Sequence, residues 1–214
     1  MIFFPAGIIA FGLVLFLPAG SLDYWQAWLF MVTLFAPFLF AVLYFMKHDP
    51  GLLERRMRFR EKVGQQKKIV SIAAAMFMMG LLVPGFDFRY GWSNVPAPVV
   101  ILADVFIFLS YLLIFFVFRV NSYASRIIEV ERGQRVISSG PYSRIRHPMY
   151  AGVITMYVSM PLALGSYWPL VFNVPVIALI ILRTLNEEKV LMRDLKGYRE
   201  YARKVRYRLI PGVW

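Results

Sequence analysis

The sequence predicts an all-α membrane protein, a polytopic bundle of about six helices that span or partly span a bilayer. Of its 214 residues, 59% are hydrophobic and only 17% are charged, and the mean hydropathy is +0.60. A soluble domain of this length cannot bury so much apolar surface in one core, whereas a bilayer accepts it on the outside of every helix. The chain has no cysteine, which excludes disulfides, thiolate nucleophiles and cysteine-ligated metal sites.

Six apolar segments, each near or somewhat below the roughly 20 residues that a spanning helix needs, follow one another along the chain. They lie at residues 2–18, 24–46, 69–85, 96–118, 148–164 and 167–185. Turn-forming residues join them in pairs, at 18–21, 84–96 and 165–166. The first segment lacks the basic start and cleavage site of a signal peptide, so we expect it to remain as a helix. Six spans place both termini on one side of the membrane.

The positions of the basic residues predict which side that is. The net charge is +12, and 23 of the 24 lysines and arginines fall in residues 47–68, in residues 119–146 or from Arg183 onward. Only Arg89 lies in the opposite loops. The positive-inside rule therefore predicts cytoplasmic termini, in a bacterial inner membrane or an endoplasmic reticulum. Topology and attraction to anionic lipids explain the basicity, so no nucleic-acid partner is expected.

The polar residues divide the chain into two regions. We expect residues 1–118 to form N-terminal transmembrane hairpins, and residues 119–214 to form one structural unit that carries the function. Between the hairpins, the mixed-charge residues 48–62 predict a short surface helix. Asp104 is the acid inside an apolar segment, and both a structural hydrogen bond and a functional role are open for it.

The start of the fifth apolar segment has the features of a ligand site. Pro148 suits the first position of a helix, which makes His147 the cap and leaves backbone N–H groups beside the imidazole. Such a helix start can hold an anionic or polar ligand. Further on, Arg183 and Glu187 share one helix face, although in isolation such a spacing favours a surface ion pair. Residues 189–204 predict a further helix, amphipathic, that lies along headgroups or along the protein itself.

These patterns combine into a recognisable layout. It consists of Gly140-Pro141-Tyr142, Arg146-His147-Pro148-Met149-Tyr150 and, after one helical hairpin, Arg183, Glu187-Glu188, Tyr198, Tyr201, Arg208 and Pro211. Over about residues 119–212 the chain thereby resembles the isoprenylcysteine carboxyl methyltransferase family of integral membrane enzymes. The same layout is shared with phospholipid N-methyltransferases, membrane thiol methyltransferases and, more distantly, sterol reductases that bind NADPH.

The resemblance implies a cofactor and a site. S-adenosylmethionine would enter a cytosolic-side pocket beneath the C-terminal amphipathic helix, while a lipophilic or lipidated substrate arrives from the bilayer. By the resemblance, the catalytic residues are Arg183 and Glu187. The cofactor-binding residues are Tyr142, His147, Pro148, Tyr150, Glu188 and Arg208. No metal is expected, because His48 is the only other histidine.

The chemistry of methyl transfer agrees with these assignments. Positive charge is lost as the methyl group leaves a sulfonium, so a closed, mostly apolar site strengthens the electrostatic guidance. A carboxylate acceptor, such as that of an isoprenylcysteine, needs only a cation to orient it, which Arg183 would supply while Glu187 fixes the guanidinium. A protonated amine must first lose a proton, and Glu187 would then be the base. The alternatives are an amine, phospholipid or thiol methyltransferase and an NADPH-dependent reductase. A channel is not favoured, because the apolar segments contain too few polar residues to form an ion path.

Overall fold

The described residues of the computed structural model are 3–56, 64–124, 130 and 133–214. Within these ranges the chain is helical and has no strand. Its helices are α1 (Phe3–Ala19), α2 (Trp25–His48), α3 (Pro50–Arg56), α4 (Gly64–Tyr90), α5 (Ala97–Val120), α6 (Pro148–Ala163), α7 (Leu170–Asp194) and α8 (Tyr198–Lys204), with a 3-10 turn at Gly140–Ser143. The all-α fold class is confirmed.

Each of the six apolar segments forms a helix. Three of them, α2, α5 and α7, are long and apolar enough to cross a membrane, as judged over the described residues. At 16 residues α6 is shorter, and at 1.5 Å per residue it covers about 24 Å of a hydrocarbon core about 30 Å thick. The bundle therefore combines spanning helices with partly spanning ones, as the sequence predicts.

One predicted turn, at residues 84–96, begins later than expected. Residues 84–90 do not leave the membrane as a loop, because α4 continues through Pro84 and Gly85 to Tyr90. The turn comes at Gly91, which has a φ of +66°. Gly85 is used for packing instead: a Cβ there would lie 2.8 Å from the carbonyl oxygen of Leu15 in α1. The missing side chain lets the two helices approach closely.

The longer α4 brings an acid into the interior that the sequence analysis overlooked. Asp87 is 1% exposed, and its carboxylate accepts hydrogen bonds from the backbone N–H of Ser93, at 2.6 Å, and from the hydroxyl of Ser166. It therefore ties the turn after α4 to the turn between α6 and α7. By contrast, Asp104 on α5 is buried beside Thr33 of α2, about 24 Å along the helix from Val120.

The apolar core lies between α1, α2, α4, α5 and α6. Its fully buried members include Leu15, Leu81, Ile107 and Leu164. Gly152 of α6 lies against α5, where an added Cβ would be 3.0 Å from the side chain of Ile114. The close pairing of α5 with α6 joins the N-terminal hairpins to the C-terminal region, and the division at residue 118 stays a prediction.

The helix predicted over residues 189–204 is not continuous, because it is divided between the end of α7 and α8. Residues up to Asp194 extend α7, and the chain then turns at Gly197, whose φ of +86° no helix interior accommodates. The short α8 follows and buries Tyr198, Tyr201 and Ala202 in a second apolar cluster. This helix lies along the protein itself, which was one of the two open alternatives.

The predicted surface helix between the first two hairpins is present as α3. It is anchored more firmly than expected, because Leu52 is fully buried and Arg55 Nε donates a hydrogen bond of 2.7 Å to the carbonyl of Ser122. Residues 57–63 of the mixed-charge stretch lie outside the described ranges. The link to Ser122 connects α3 to the end of α5, next to the candidate site.

The Gly85 contact can be tested by substitution. We expect Gly85→Ala to lower the free energy of unfolding by about 1–3 kcal/mol, because the new methyl group overpacks the α1 contact. Gly7→Ala is the matched control, since a Cβ at Gly7 meets nothing within 4 Å and alanine favours the helix. Thermal unfolding in detergent measures both variants. An unfolding midpoint of Gly85→Ala equal to that of Gly7→Ala would contradict the contact.

Candidate active site

A hollow opens where the start of α6 and the second half of α7 face each other beneath α8. Its open space, including the mouth, measures about 860 Å³. Apolar side chains form much of its wall, among them Val136, Ile137, Val190, Leu191 and Leu195. The predicted site residues that line it are Tyr142, His147, Tyr150, Arg183 and Glu187. We call it the site hollow.

His147 occupies the cap of α6, as predicted, and Pro148 is the first helical residue. Two backbone hydrogen bonds hold this segment: Arg146 N–H donates to the carbonyl of Tyr207 and His147 N–H to that of Arg208, both at 2.9 Å. The buried imidazole lies between the paired acids, with Nδ1 3.9 Å from Glu187 Oε1 and Nε2 3.9 Å from Glu188 Oε1. Of these three residues, His147 and Glu187 line the site hollow, whereas Glu188 lies beside the imidazole but does not line it.

Behind the site hollow, Glu188 forms a buried ionic cluster. Its Oε1 lies 2.7 Å from Arg146 Nε, and its Oε2 accepts a hydrogen bond of 2.6 Å from Arg208 Nε. The side chains of Glu188 and Arg146 are only 6% and 7% exposed. Arg146 Nη1 also donates to the carbonyls of Ala202 and Val205, both at 3.1 Å. A carboxylate buried this deeply is stabilised by two cations rather than left uncompensated.

A second hydrogen-bonded group faces the hollow and is centred on Tyr150. Its hydroxyl donates to Glu187 Oε2 at 2.6 Å and accepts from Arg183 Nε at 3.1 Å. Arg183 and Glu187 do lie on one face of α7, as their spacing predicts. The tyrosine joins them, so its hydroxyl is engaged by the protein and orients both members of the pair.

Tyrosines close the remaining wall. Asn121 Nδ2 donates to the hydroxyl of Tyr142 at 2.8 Å, and the hydroxyl of Tyr201 donates to the carbonyl of Tyr142 at 2.7 Å. Burial raises the pKa of Tyr142 to about 12, and it raises the pKa of Tyr198 and of Tyr201 as well. All three phenols therefore stay neutral near pH 7 and present an uncharged surface to a ligand.

Two of the buried polar atoms that lack a hydrogen-bond partner within the described part of the chain are important for the site hollow. These are Nε2 of His147 and the hydroxyl of Tyr198, both on residues that line the site hollow. Buried polar atoms normally have hydrogen-bond partners. Such atoms beside an apolar wall suit a ligand that brings its own polar groups.

The predicted cofactor residues are thus divided in space. Tyr142, His147 and Tyr150 line the site hollow, whereas Pro148, Glu188 and Arg208 do not. Pro148 is buried at the start of α6, and Glu188 and Arg208 form the ionic cluster behind the wall. The sequence analysis did not assign a role to Arg146, although it stands directly before His147. Contact with cofactor stays a prediction for every one of these residues.

Comparison with known proteins supports the C-terminal layout. Residues 98–198 match the model of the phospholipid methyltransferase family, a range that runs from α5 to the first residue of α8 and includes every predicted site residue except Arg208. Over 90 residues, the chain is also 30% identical to the delta(14)-sterol reductase of Mus musculus. That alignment covers 41% of this chain and 22% of the reductase, so the chain spans about a fifth of that relative. The part of the chain that forms the site hollow is therefore similar to integral-membrane methyltransferases.

Proposed function

We propose that the protein transfers a methyl group from S-adenosylmethionine to a lipophilic acceptor that reaches the site hollow from the bilayer. The observation that carries the proposal is the shared hollow itself: an imidazole, a carboxylate and an oriented guanidinium meet there at the end of apolar helices. The match of residues 98–198 to the phospholipid methyltransferase family supports the same reaction class.

The residues of the hollow fit the methyl donor. When bound, S-adenosylmethionine supplies a methyl group on a positively charged sulfur, which passes to a nucleophile by in-line displacement. Glu187 offers a carboxylate for the positive charge, and the unsatisfied atoms of His147 and Tyr198 offer hydrogen bonds. Val190 and Leu191 provide an apolar surface for a nucleobase. The same apolar wall limits water, which strengthens these electrostatic contacts.

Arg183 is the residue that we assign to the acceptor. Its Nε is fixed by the hydroxyl of Tyr150, which Glu187 fixes in turn, so the guanidinium is oriented before substrate arrives. A carboxylate on a lipophilic molecule, such as an isoprenylcysteine, needs only such a cation for correct placement. This acceptor is our first choice.

An amine acceptor is the second candidate, and the family match favours it because it is to phospholipid methyltransferases. An ammonium group must lose a proton before it can attack. Glu187 lies in the hollow and already accepts a hydrogen bond from Tyr150, so it would serve as the base.

The charge distribution supports a cytoplasmic location of the site. With 23 of 24 lysines and arginines on the side of the site hollow in the six-helix topology, the positive-inside rule orients both termini and the hollow toward the cytoplasm. We therefore propose that a soluble methyl donor enters from that compartment, of a bacterium or of an endoplasmic reticulum, and that the acceptor enters laterally.

The cofactor can be tested directly, because the identity with a sterol reductase makes NADPH the competing choice. We expect isothermal titration in detergent to show binding of S-adenosylmethionine and none of NADPH. His147→Ala should weaken that binding about tenfold, since a hydrogen bond to a buried group is lost. His48→Ala is the control, because that exposed histidine lies on α2 and does not line the hollow. Binding of NADPH alone would replace the proposal with a reductase.

The role of Arg183 separates acceptor from donor. We expect Arg183→Ala to keep donor affinity within about threefold while turnover falls about 100-fold or more, because the lost contact is made to the acceptor. Tyr150→Phe should lower turnover less, by about tenfold, since the guanidinium remains but loses its orientation. Transfer of label from radioactive donor to a total membrane extract measures turnover. Exposed Arg144→Ala is the control, and an equal loss of donor affinity in Arg183→Ala would show that Arg183 holds the donor.

A further inference from the structure

A second hollow lies between the end of α7 and α8, separate from the site hollow. Four cations line it, Lys189, Arg193, Arg199 and Arg208, together with one acid, Glu188. Its open space measures about 610 Å³. We call it the basic groove, and neither the proposed methyl transfer nor the site hollow uses it.

The groove keeps a strong positive charge after its ion pairs are counted. Four cations against one acid leave +3 among its described lining residues. Two neighbouring residues leave this net charge unchanged. Arg146, which pairs with Glu188, adds one positive charge, and Asp194, which pairs with Arg193, adds one negative charge. Among the described residues, Arg199 donates to a neutral carbonyl, that of Met192, at 3.0 Å. The basic groove can therefore bind an anion through contacts with more than one cation.

An apolar stripe on α7 leads into the groove. Positions 174, 178, 182, 185 and 189 are three or four residues apart and so share one helix face. Val174 and Leu182 on this face are 67% and 55% exposed, Leu185 lines the groove and Lys189 stands one turn beyond it. The groove thus lies at the level where α7 changes from apolar to charged sequence. An inorganic anion makes no favourable contact with such an apolar stripe, whereas the acyl chain of a lipid packs against it.

We infer that the basic groove binds the phosphate of an anionic phospholipid whose acyl chain lies along the apolar stripe of α7. Basic pockets at the cytoplasmic ends of membrane helices recognise such headgroups by charge. The acyl chain provides the second, apolar part of the recognition, and it decides between a membrane lipid and a free phosphate compound.

A lipid bound in the basic groove would influence the site hollow through the residues of the ionic cluster. Arg208 and Glu188 line the groove, and Glu188 also pairs with Arg146, which precedes His147 in the site hollow. A lipid phosphate near Arg208 therefore adds a counter-charge to the cluster that holds the C-terminal segment. This inference does not depend on methyl transfer, because the groove needs no methyl donor.

Native mass spectrometry of the intact protein tests the inference. The protein in detergent is mixed with phosphatidylglycerol or with zwitterionic phosphatidylcholine, and retained lipid is counted without any methyl donor present. We expect preferential retention of phosphatidylglycerol, and an about tenfold weaker retention by the double variant Lys189→Gln/Arg193→Gln, which removes two groove cations. Glycerol 3-phosphate at millimolar concentration should not displace the lipid.

The matched control is Lys196→Gln/Arg203→Gln, which removes the same charge from exposed positions that do not line the groove. It should retain phosphatidylglycerol as the unmodified protein does. Equal loss in both double variants, or equal retention of both lipids, would overturn the site in favour of general charge attraction. Displacement by glycerol 3-phosphate would assign the groove to a soluble phosphate compound. Because no methyl donor is used, these results stand apart from the outcome of the S-adenosylmethionine titration.

Discussion

A buried carboxylate between two guanidinium groups holds the functional end of this molecule together. Glu188 on α7 contacts Arg146, two residues before α6 begins, and Arg208, in the segment after α8. An isolated charge at such a depth would be costly, and removing one partner of a buried pair typically costs about 3–5 kcal/mol. The three segments are 20 to 62 residues apart in the chain, so the cluster decides where each of them lies.

The position of His147 follows from this cluster. The ion pair of Arg146 and the backbone hydrogen bonds from Arg146 and His147 to residues 207 and 208 act on the same short segment. Arg208 is held further by Trp214, whose carbonyl accepts its backbone N–H and whose ring lies 5.2 Å from its guanidinium. The imidazole therefore lies at a helix start held by several contacts, with Nδ1 3.9 Å from Glu187 Oε1. Placement of this kind is what a reaction controlled by orientation requires.

The ionic cluster around Glu188 and the hydrogen-bonded group around Tyr150 have different positions relative to the site hollow. The cluster around Glu188 lies behind the wall and shapes it, whereas the group of Arg183, Tyr150 and Glu187 faces the space that a ligand would fill. A change in the first group is expected to alter the shape of the hollow, and a change in the second to alter the chemistry inside it. The resemblance-based assignment of Glu188 and Arg208 to the cofactor stays a prediction, and the structure places both residues behind the wall of the site hollow.

Local patterns made much of the fold predictable. The six helices follow from apolar segments long enough for a bilayer, and the start of α6 follows from Pro148. The continuation of α4 through Gly85 was not predictable, because it depends on close packing against α1. The break at Gly197 likewise depends on where Tyr198 and Tyr201 find their burial. Contacts between distant segments explain why the roles of Arg146, Asp87 and the Tyr150 hydroxyl also escaped the sequence analysis.

The central claim is that the Glu188 cluster shapes a hollow for the methyl donor. Isothermal titration of S-adenosylmethionine into the unmodified protein and into Glu188→Gln tests it most directly, at a temperature where circular dichroism shows both to be folded. We predict binding by the first and an at least tenfold weaker affinity in the second, because the neutral side chain no longer holds the segment that carries His147. The same affinity in both proteins would contradict the account.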